Sequence, residues 1–314
     1  MSIKAERLLI RAKKLIKKGD IREARELYSS ILQSSPNNLE ALKSLSMLDQ
    51  KNETRPAQKQ LDEVMHFYSQ GQMDKAQLLV KDLIINFPQE SLLYNILGAC
   101  YSEIGPIDSA IENFEQAIAL KPDYAEAYYN LGVAYQKNGQ INNSLNSYEK
   151  AVELKHAYPQ AHNNIGLLNM HFGNLDSAVT SLEWALAYSP NYAEAHNNLG
   201  AVFQELSLYQ EAMEQYEKAT LINPNYALAF NNLGISSEIM GLRDKAKVNY
   251  EQAINIDSSY AEAHRNLSAI KQYTKVDSQV DQMVSLYSKN SLNQSDRINL
   301  CFALAKVNEN LNNE

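Results

Sequence analysis

The stretch AEAYYNLGVAYQKNGQINNSLNSYEKAVELKHAY, residues 125–158, sets the reading of the whole chain. Its first half places Tyr128, Leu131, Gly132 and Tyr135 at helical spacing, which makes one apolar stripe. Gly139 interrupts, and Ile141, Leu145, Tyr148, Ala151 and Val152 then form a second stripe. The stretch is therefore two amphipathic helices joined at a glycine. The same design recurs along the chain. Gly98, Gly132, Gly166, Gly200 and Gly234 are successive 34-residue steps, and so are Gly71, Gly105, Gly139 and Gly173, with Gly241 two steps further on. Gly19 holds the same place in an out-of-phase N-terminal unit, so all 11 glycines are accounted for. A fixed period of this size signals a solenoid of stacked units. No glycine is left for a phosphate-cradling loop.

Aligned on the glycines, units start at Ser91, Ala125, Pro159, Ala193, Ala227 and Ala261. Pro88, Pro122, Pro190 and Pro224 follow the second helix, where proline ends one helix before the next begins. A helical glycine costs about 1 kcal/mol against alanine, so the Gly132 phase must be offset by close packing. Ala110, Ala178, Ala212 and Ala246 do the same for the second helix.

The order aromatic–x–x–Leu–Gly–x–x–Tyr, then Ala, Tyr, Ala and Pro, resembles the tetratricopeptide repeat. The likeness covers nearly the whole chain. It is near-complete in 91–124, 125–158, 193–226 and 227–260, and looser in 159–192, where His162 and Asn169 replace the aromatic and the tyrosine. The resemblance implies an all-α fold, a right-handed α-solenoid of helix pairs whose first helices line a concave side.

The ends depart from the pattern. Residues 1–56 read as one unit ending at Pro36, an extra helix at about 39–50, and a linker, Lys51 to Pro56. The main array is 57–274, six 34-residue units, of which the first has lost the Leu–Gly pair to Glu63 and Val64, with a last, incomplete one from Ala261. Residues 275–314 read as a degenerate second helix, with Val280, Val284 and Tyr287 in the expected places. A further first helix follows over 295–311, its stripe Ile298, Cys301, Leu304 and Ala305. That helix has no partner before Glu314, which suggests a fragment of something longer or a helix that docks elsewhere.

Net charge is −8, so nucleic-acid binding has no electrostatic support. Cys100 and Cys301 match no metal or disulfide spacing and read as buried thiols of a reducing, cytoplasmic setting. The basic residues of the first eighteen, Lys4 to Lys18, read as the solvated face of a helix whose apolar face is Leu8, Ala12 and Leu15. No apolar run reaches membrane-spanning length.

No catalytic constellation is found, and neither a cofactor nor a metal is expected. His162, His196 and His264 recur in phase, but helices about 8–10 Å apart hold them too far from each other to share a zinc. They read as packed, hydrogen-bonded imidazoles. The binding candidates are Asn130, Asn164, Asn198, Asn232 and Asn266, an unbroken 34-residue series. Asn130 lies about 210° from the mean direction of its helix's core stripe. An amide donates and accepts, so such a row pairs with peptide backbone whatever its side chains. The other reading is inter-repeat structure alone. The series resembles the asparagine ladder of O-linked N-acetylglucosamine transferase. Val133, Leu167, Ala201, Ile235 and Ala269 lie alongside it, with Glu126, Glu194, Glu205 and Glu262 against Lys137 and Arg265. This part-apolar, mildly acidic groove lacks the Lys/Arg clamps that tetratricopeptide domains use for acidic C-termini.

The expected function is a protein-interaction scaffold that takes a partner protein or an extended neutral or basic peptide. The alternative is the substrate-recruiting, non-catalytic region of a larger transferase. Ala261 to Ile270, Gln282-Met283, Asp296-Arg297 and Cys301 to Lys306 resemble the junction of bacterial tetratricopeptide–sulfotransferase proteins, as do Gln60-Leu61 and Tyr94 to Ala99. A glycosyltransferase is the other such parent. Self-association through the C-terminal helix is a third outcome.

Overall fold

The computed structural model describes residues 3–18, 21–52, 56–289 and 291–312. Gly19 and linker residues 53–55 lie outside the described residues. The described residues are all-α, with eighteen helices and no strand. They fall into two compact units, residues 1–138 and 139–314.

The first unit holds α1 (Ile3–Lys18), α2 (Ile21–Ser34), α3 (Leu39–Asn52), α4 (Gln58–Ser69), α5 (Met73–Asn86), α6 (Ser91–Ile104), α7 (Ile107–Leu120) and α8 (Ala125–Lys137). The extra helix α3 runs to Asn52, so Lys51 and Asn52 are helical and not linker. Helix α1 buries Leu9 and Ala12 against Ala24, Tyr28 and Ile31 of α2. Helices α6 and α7 form a tight hairpin. A Cβ built on Gly98 would sit 2.7 Å from the Phe114 ring, so only glycine leaves room for that ring.

The second unit holds α9 (Ile141–Leu154), α10 (Pro159–His171), α11 (Leu175–Tyr188), α12 (Ala193–Glu205), α13 (Tyr209–Ile222), α14 (Ala227–Ile239), α15 (Arg243–Ile256), α16 (Ala261–Ile270), α17 (Ser278–Tyr287) and α18 (Gln294–Asn312). From α10 to α15 the helices pair as α10/α11, α12/α13 and α14/α15, each pair stacked on the next. This is an α-solenoid. The second helices bury a small–large–small triplet: Ala178, Leu182, Ala185; Ala212, Tyr216, Ala219; Ala246, Tyr250, Ala253. Each large residue drops onto the glycine of its own first helix. A Cβ at Gly166 would meet Leu182 at 2.6 Å, and one at Gly200 would meet Tyr216 at 2.7 Å. In α9 the leading small place is Ser144, fully buried.

The second glycine phase has a different cause. Gly173 and Gly241 take φ of +76° and +77°, a left-handed conformation that β-carbons resist. They end α10 and α14 in the two-bond Schellman pattern: Asn174 N–H donates to Asn169 O and Gly173 N–H to Met170 O, with Leu242 and Gly241 repeating it. Ser207 stands at this phase and keeps the same bonds with φ +61°, although it is not glycine. Gly105 departs, with extended backbone, since the following Pro106 disfavours helical geometry before it.

The C-terminal helices depart from the expected pattern. Helix α18 packs closely on α16, while α17 touches α16 only slightly. Helix α17 buries Val280, Met283 and Leu286, whereas Val284 and Tyr287 are exposed. Helix α18 buries Leu300, Ala303 and Val307 into the same cluster. Its expected stripe instead faces outward: Ile298, Cys301 and Ala305 are exposed, and Leu304 is half-buried. Cys301 is thus an exposed thiol, while Cys100 is buried. The reason is that α17, which follows an irregular connection over 271–277, does not take the second-helix place over α16. Helix α18 takes that contact and is turned by it.

Candidate functional site: an amide row on the first helices

In the second unit, successive first helices approach each other directly, and asparagine side chains meet at the contact. Asn198 Nδ2 donates to Asn163 Oδ1 at 2.9 Å, Asn232 Nδ2 to Asn197 Oδ1 at 3.0 Å, and Asn266 Nδ2 to Asn231 Oδ1 at 3.0 Å. In the first unit Asn130 Nδ2 donates to Asn95 Oδ1 at 3.0 Å. Each bond crosses 35 residues, so it ties one repeat to the one before it. Asn164 receives a longer bond, 3.4 Å from Asn163 Nδ2, and Asn198 one of 3.5 Å from Asn197.

The five expected site residues are all half-buried. The inter-repeat partners Asn95, Asn163, Asn197 and Asn231 are buried, and the periodicity argument did not single them out. The signal was present as the repeated Asn-Asn dipeptides 163–164, 197–198 and 231–232. The inter-repeat reading of the series therefore has a bond behind it in Asn130, Asn198, Asn232 and Asn266. One Nδ2–H carries the inter-repeat bond. The Oδ1 of Asn232 and of Asn266 has no partner among the described residues.

Beside the row, Val133, Leu167, Ala201 and Ile235 are half-buried and Ala269 is exposed. Glu126, Glu194 and Glu205 are exposed and Glu262 is half-buried. Lys137 is tied to Ser102 O at 3.1 Å and to Glu103 at 3.3 Å. Arg265 donates to Asn299 Oδ1 at 3.1 Å. Tyrosines line the buried end of the row. Burial pushes the Tyr124 hydroxyl up to about 12, with Glu126 adding to the rise and the Asn95 amide opposing it. Burial and Glu262 likewise raise Tyr260, against the Asn231 amide.

The recurring histidines close the turns between repeats. His162, His196 and His264 bond through Nε2 to the carbonyl six residues earlier, those of His156, Pro190 and Ser258, at 2.9–3.0 Å. Tyr94 donates to Pro88 O in the same way at 3.1 Å. Burial lowers the imidazoles of His162 and His264, which favours the neutral form. No cluster of three metal-ligating side chains occurs among the described residues. None of the described helices is long and apolar enough to cross a membrane.

Family models described as TPR repeat match residues 98–139 and 173–207, and tetratricopeptide repeat models match 125–158, 193–226 and 227–260. No match was found among curated proteins. Among solved structures, the Cut9-Hcn1 hetero-tetramer of APC/C is similar over 95% of this chain and 55% of that one, with 18% identity and a TM-score of 0.61. YrrB, described as a TPR protein with an unusual peptide-binding site, is 22% identical over 59% of this chain and 95% of its own, with a TM-score of 0.50. MamA is 27% identical over 55% of this chain and 95% of its own, with a TM-score of 0.49. The likeness to sulfotransferase and N-acetylglucosamine transferase proteins finds no support among these comparisons. The helix pairs and their glycine slots make the described residues an α-solenoid, and the matched segments, residues 98–158 and 173–260, are tetratricopeptide repeats within it.

Proposed function

We propose that the second unit is a protein-interaction scaffold whose amide row, Asn164, Asn198, Asn232 and Asn266, binds the backbone of an extended partner segment. Asn130 offers the same group in the first unit. The observation that supports this is the inter-repeat bond itself. It fixes Asn198, Asn232 and Asn266 before a ligand arrives, so less side-chain entropy is lost on binding. Helices spaced about 10 Å apart would meet roughly every third residue of a strand rising about 3.3 Å per residue. The exposed Glu194 and Glu205 favour neutral or basic segments.

The test compares two triple variants. Asn198→Ala, Asn232→Ala and Asn266→Ala together remove outer amides and bonds alike. Asn163→Ala, Asn197→Ala and Asn231→Ala together remove the same bonds but leave the outer amides. Partner capture by crosslinking and titration with basic extended peptides should fall about tenfold or more in the first variant and much less in the second. Equal loss in both would reduce the row to inter-repeat structure. Tight binding of an acidic C-terminal peptide in this groove would overturn the charge preference.

A further inference from the structure

Helix α18 presents a face that its own chain leaves uncovered. Counted in 34-residue steps, Ile298, Cys301 and Phe302 occupy the places of His264, Leu267 and Ser268 of α16, and of Phe230, Leu233 and Gly234 of α14. In α14 that face is buried under Tyr250 of its second helix. In α18, Ile298 is 47% and Phe302 64% exposed, and Cys301 and Ala305 on the same face are exposed too. An apolar face of this size and register is shaped for a helix.

The rim says which helix. Two hollows flank Phe302, one lined by Arg297 with Ile298, Cys301 and Ala305, the other by Arg265 and Lys306, and no carboxylate lines either. Lys306 reaches Glu309 on its own helix at 2.8 Å, an exposed pair that exchanges readily. Arg297 lies over the Tyr287 ring and donates to Lys289 O, and Arg265 donates to Asn299. Neither arginine meets a carboxylate among the described residues. A basic rim in a chain of net charge −8 selects an acidic partner.

We infer that the Ile298–Ala305 face of α18 docks an amphipathic helix with an apolar stripe and acidic flanks, in the place a second helix holds in the repeats. The size pattern is reversed there. The repeats set Tyr or Leu onto glycine, but here Phe302 projects, so the incoming helix carries a small residue opposite it.

The experiment uses the full chain and three synthetic helices, followed by fluorescence anisotropy. One has a Leu stripe, a central Ala and Glu flanks, the second has Lys flanks, and the third scrambles the first. The Glu helix should bind, with the Lys helix and the scramble about tenfold weaker or worse. Phe302→Asp should abolish binding without loss of helical content, since the ring is exposed. Arg297→Glu with Lys306→Glu should switch preference to the Lys helix, and Asn232→Ala should change nothing, which separates this face from the amide row. Equal binding of Glu and Lys helices, or no effect of Phe302→Asp, would overturn the inference. So would a concentration-dependent dimer abolished by Phe302→Asp in sedimentation, which would assign the face to a second copy.

Discussion

The helix pairs α10 to α15 and the last three helices, α16 to α18, follow one 34-residue phase but bury different faces. In the pairs, glycine on the first helix receives a large residue from the second, and the apolar stripe read from the sequence is the stripe that is buried. In the last three, the glycine phase is Ser268 and then Phe302, and the connection 271–277 is irregular. Lys271 there bonds Asp277 at 2.6 Å, and Asp277 caps α17 through Gln279 N–H and Val280 N–H. Although burial opposes it, the lysine and the two donors hold the Asp277 carboxyl below its ordinary value. The lesson is that a periodic stripe states which residues can be buried together. Whether they are buried depends on the next helix arriving in place.

The comparison can be broken at its two aromatic residues. Tyr250→Ala empties the slot over Gly234, and a buried aromatic truncation of this kind costs about 3–5 kcal/mol. Phe302→Ala, on the exposed face, should stay within about 0.5 kcal/mol. Urea unfolding of both variants checks the contrast, and equal losses would show that α18 is covered. The glycine phase gives the next effect. Gly200→Ala forces its methyl against Tyr216 and should cost about 1–3 kcal/mol despite a helix-propensity gain of about 1 kcal/mol. Ser268→Ala, at the same phase of α16, removes only a bond to Arg265 O on its own helix and should be nearly neutral.

Alkaline pH probes the knobs without mutation. Burial, then the bond to Glu238 at 2.8 Å, raises the Tyr250 hydroxyl above its ordinary 10.0, and burial raises Tyr216. The folded state holds these protons more tightly than the unfolded chain. The resulting stability is complete below pH 10 and is lost as pH rises through the folded values. Circular dichroism melts from pH 8 to 12 should show a fall that begins above about 10, and Tyr250→Phe should soften it. The smallest effect sits in a turn. Ser207 holds φ +61° where the other repeats use glycine, so Ser207→Gly should stabilise by about 0.5–1 kcal/mol. A lower melting temperature would mean that its hydroxyl matters more than its backbone.

Much of this was legible from residue type and spacing. The glycine phases implied both a close helix approach and a tight turn, because no other residue tolerates either condition cheaply. Asn198 and Asn232 were legible as a row, since helical periodicity places them on one side. Asn163 and Asn197 were not, because a buried asparagine looks like any core position until its partner on the neighbouring helix is known. The repeated histidines were read as packed imidazoles, but the carbonyls of His156, Pro190 and Ser258 that hold them lie in turns whose path periodicity does not give.

By itself the sequence determined the helices, their pairing within a repeat and the residues able to form a core, since these follow from local spacing and side-chain size. Only the tertiary structure decided that the amides bond from repeat to repeat, and that α18 turns Leu300, Ala303 and Val307 inward and Ile298, Cys301 and Phe302 outward. Both outcomes depend on contacts between helices from different repeats, and the energy of burial acts on whichever face a neighbour covers.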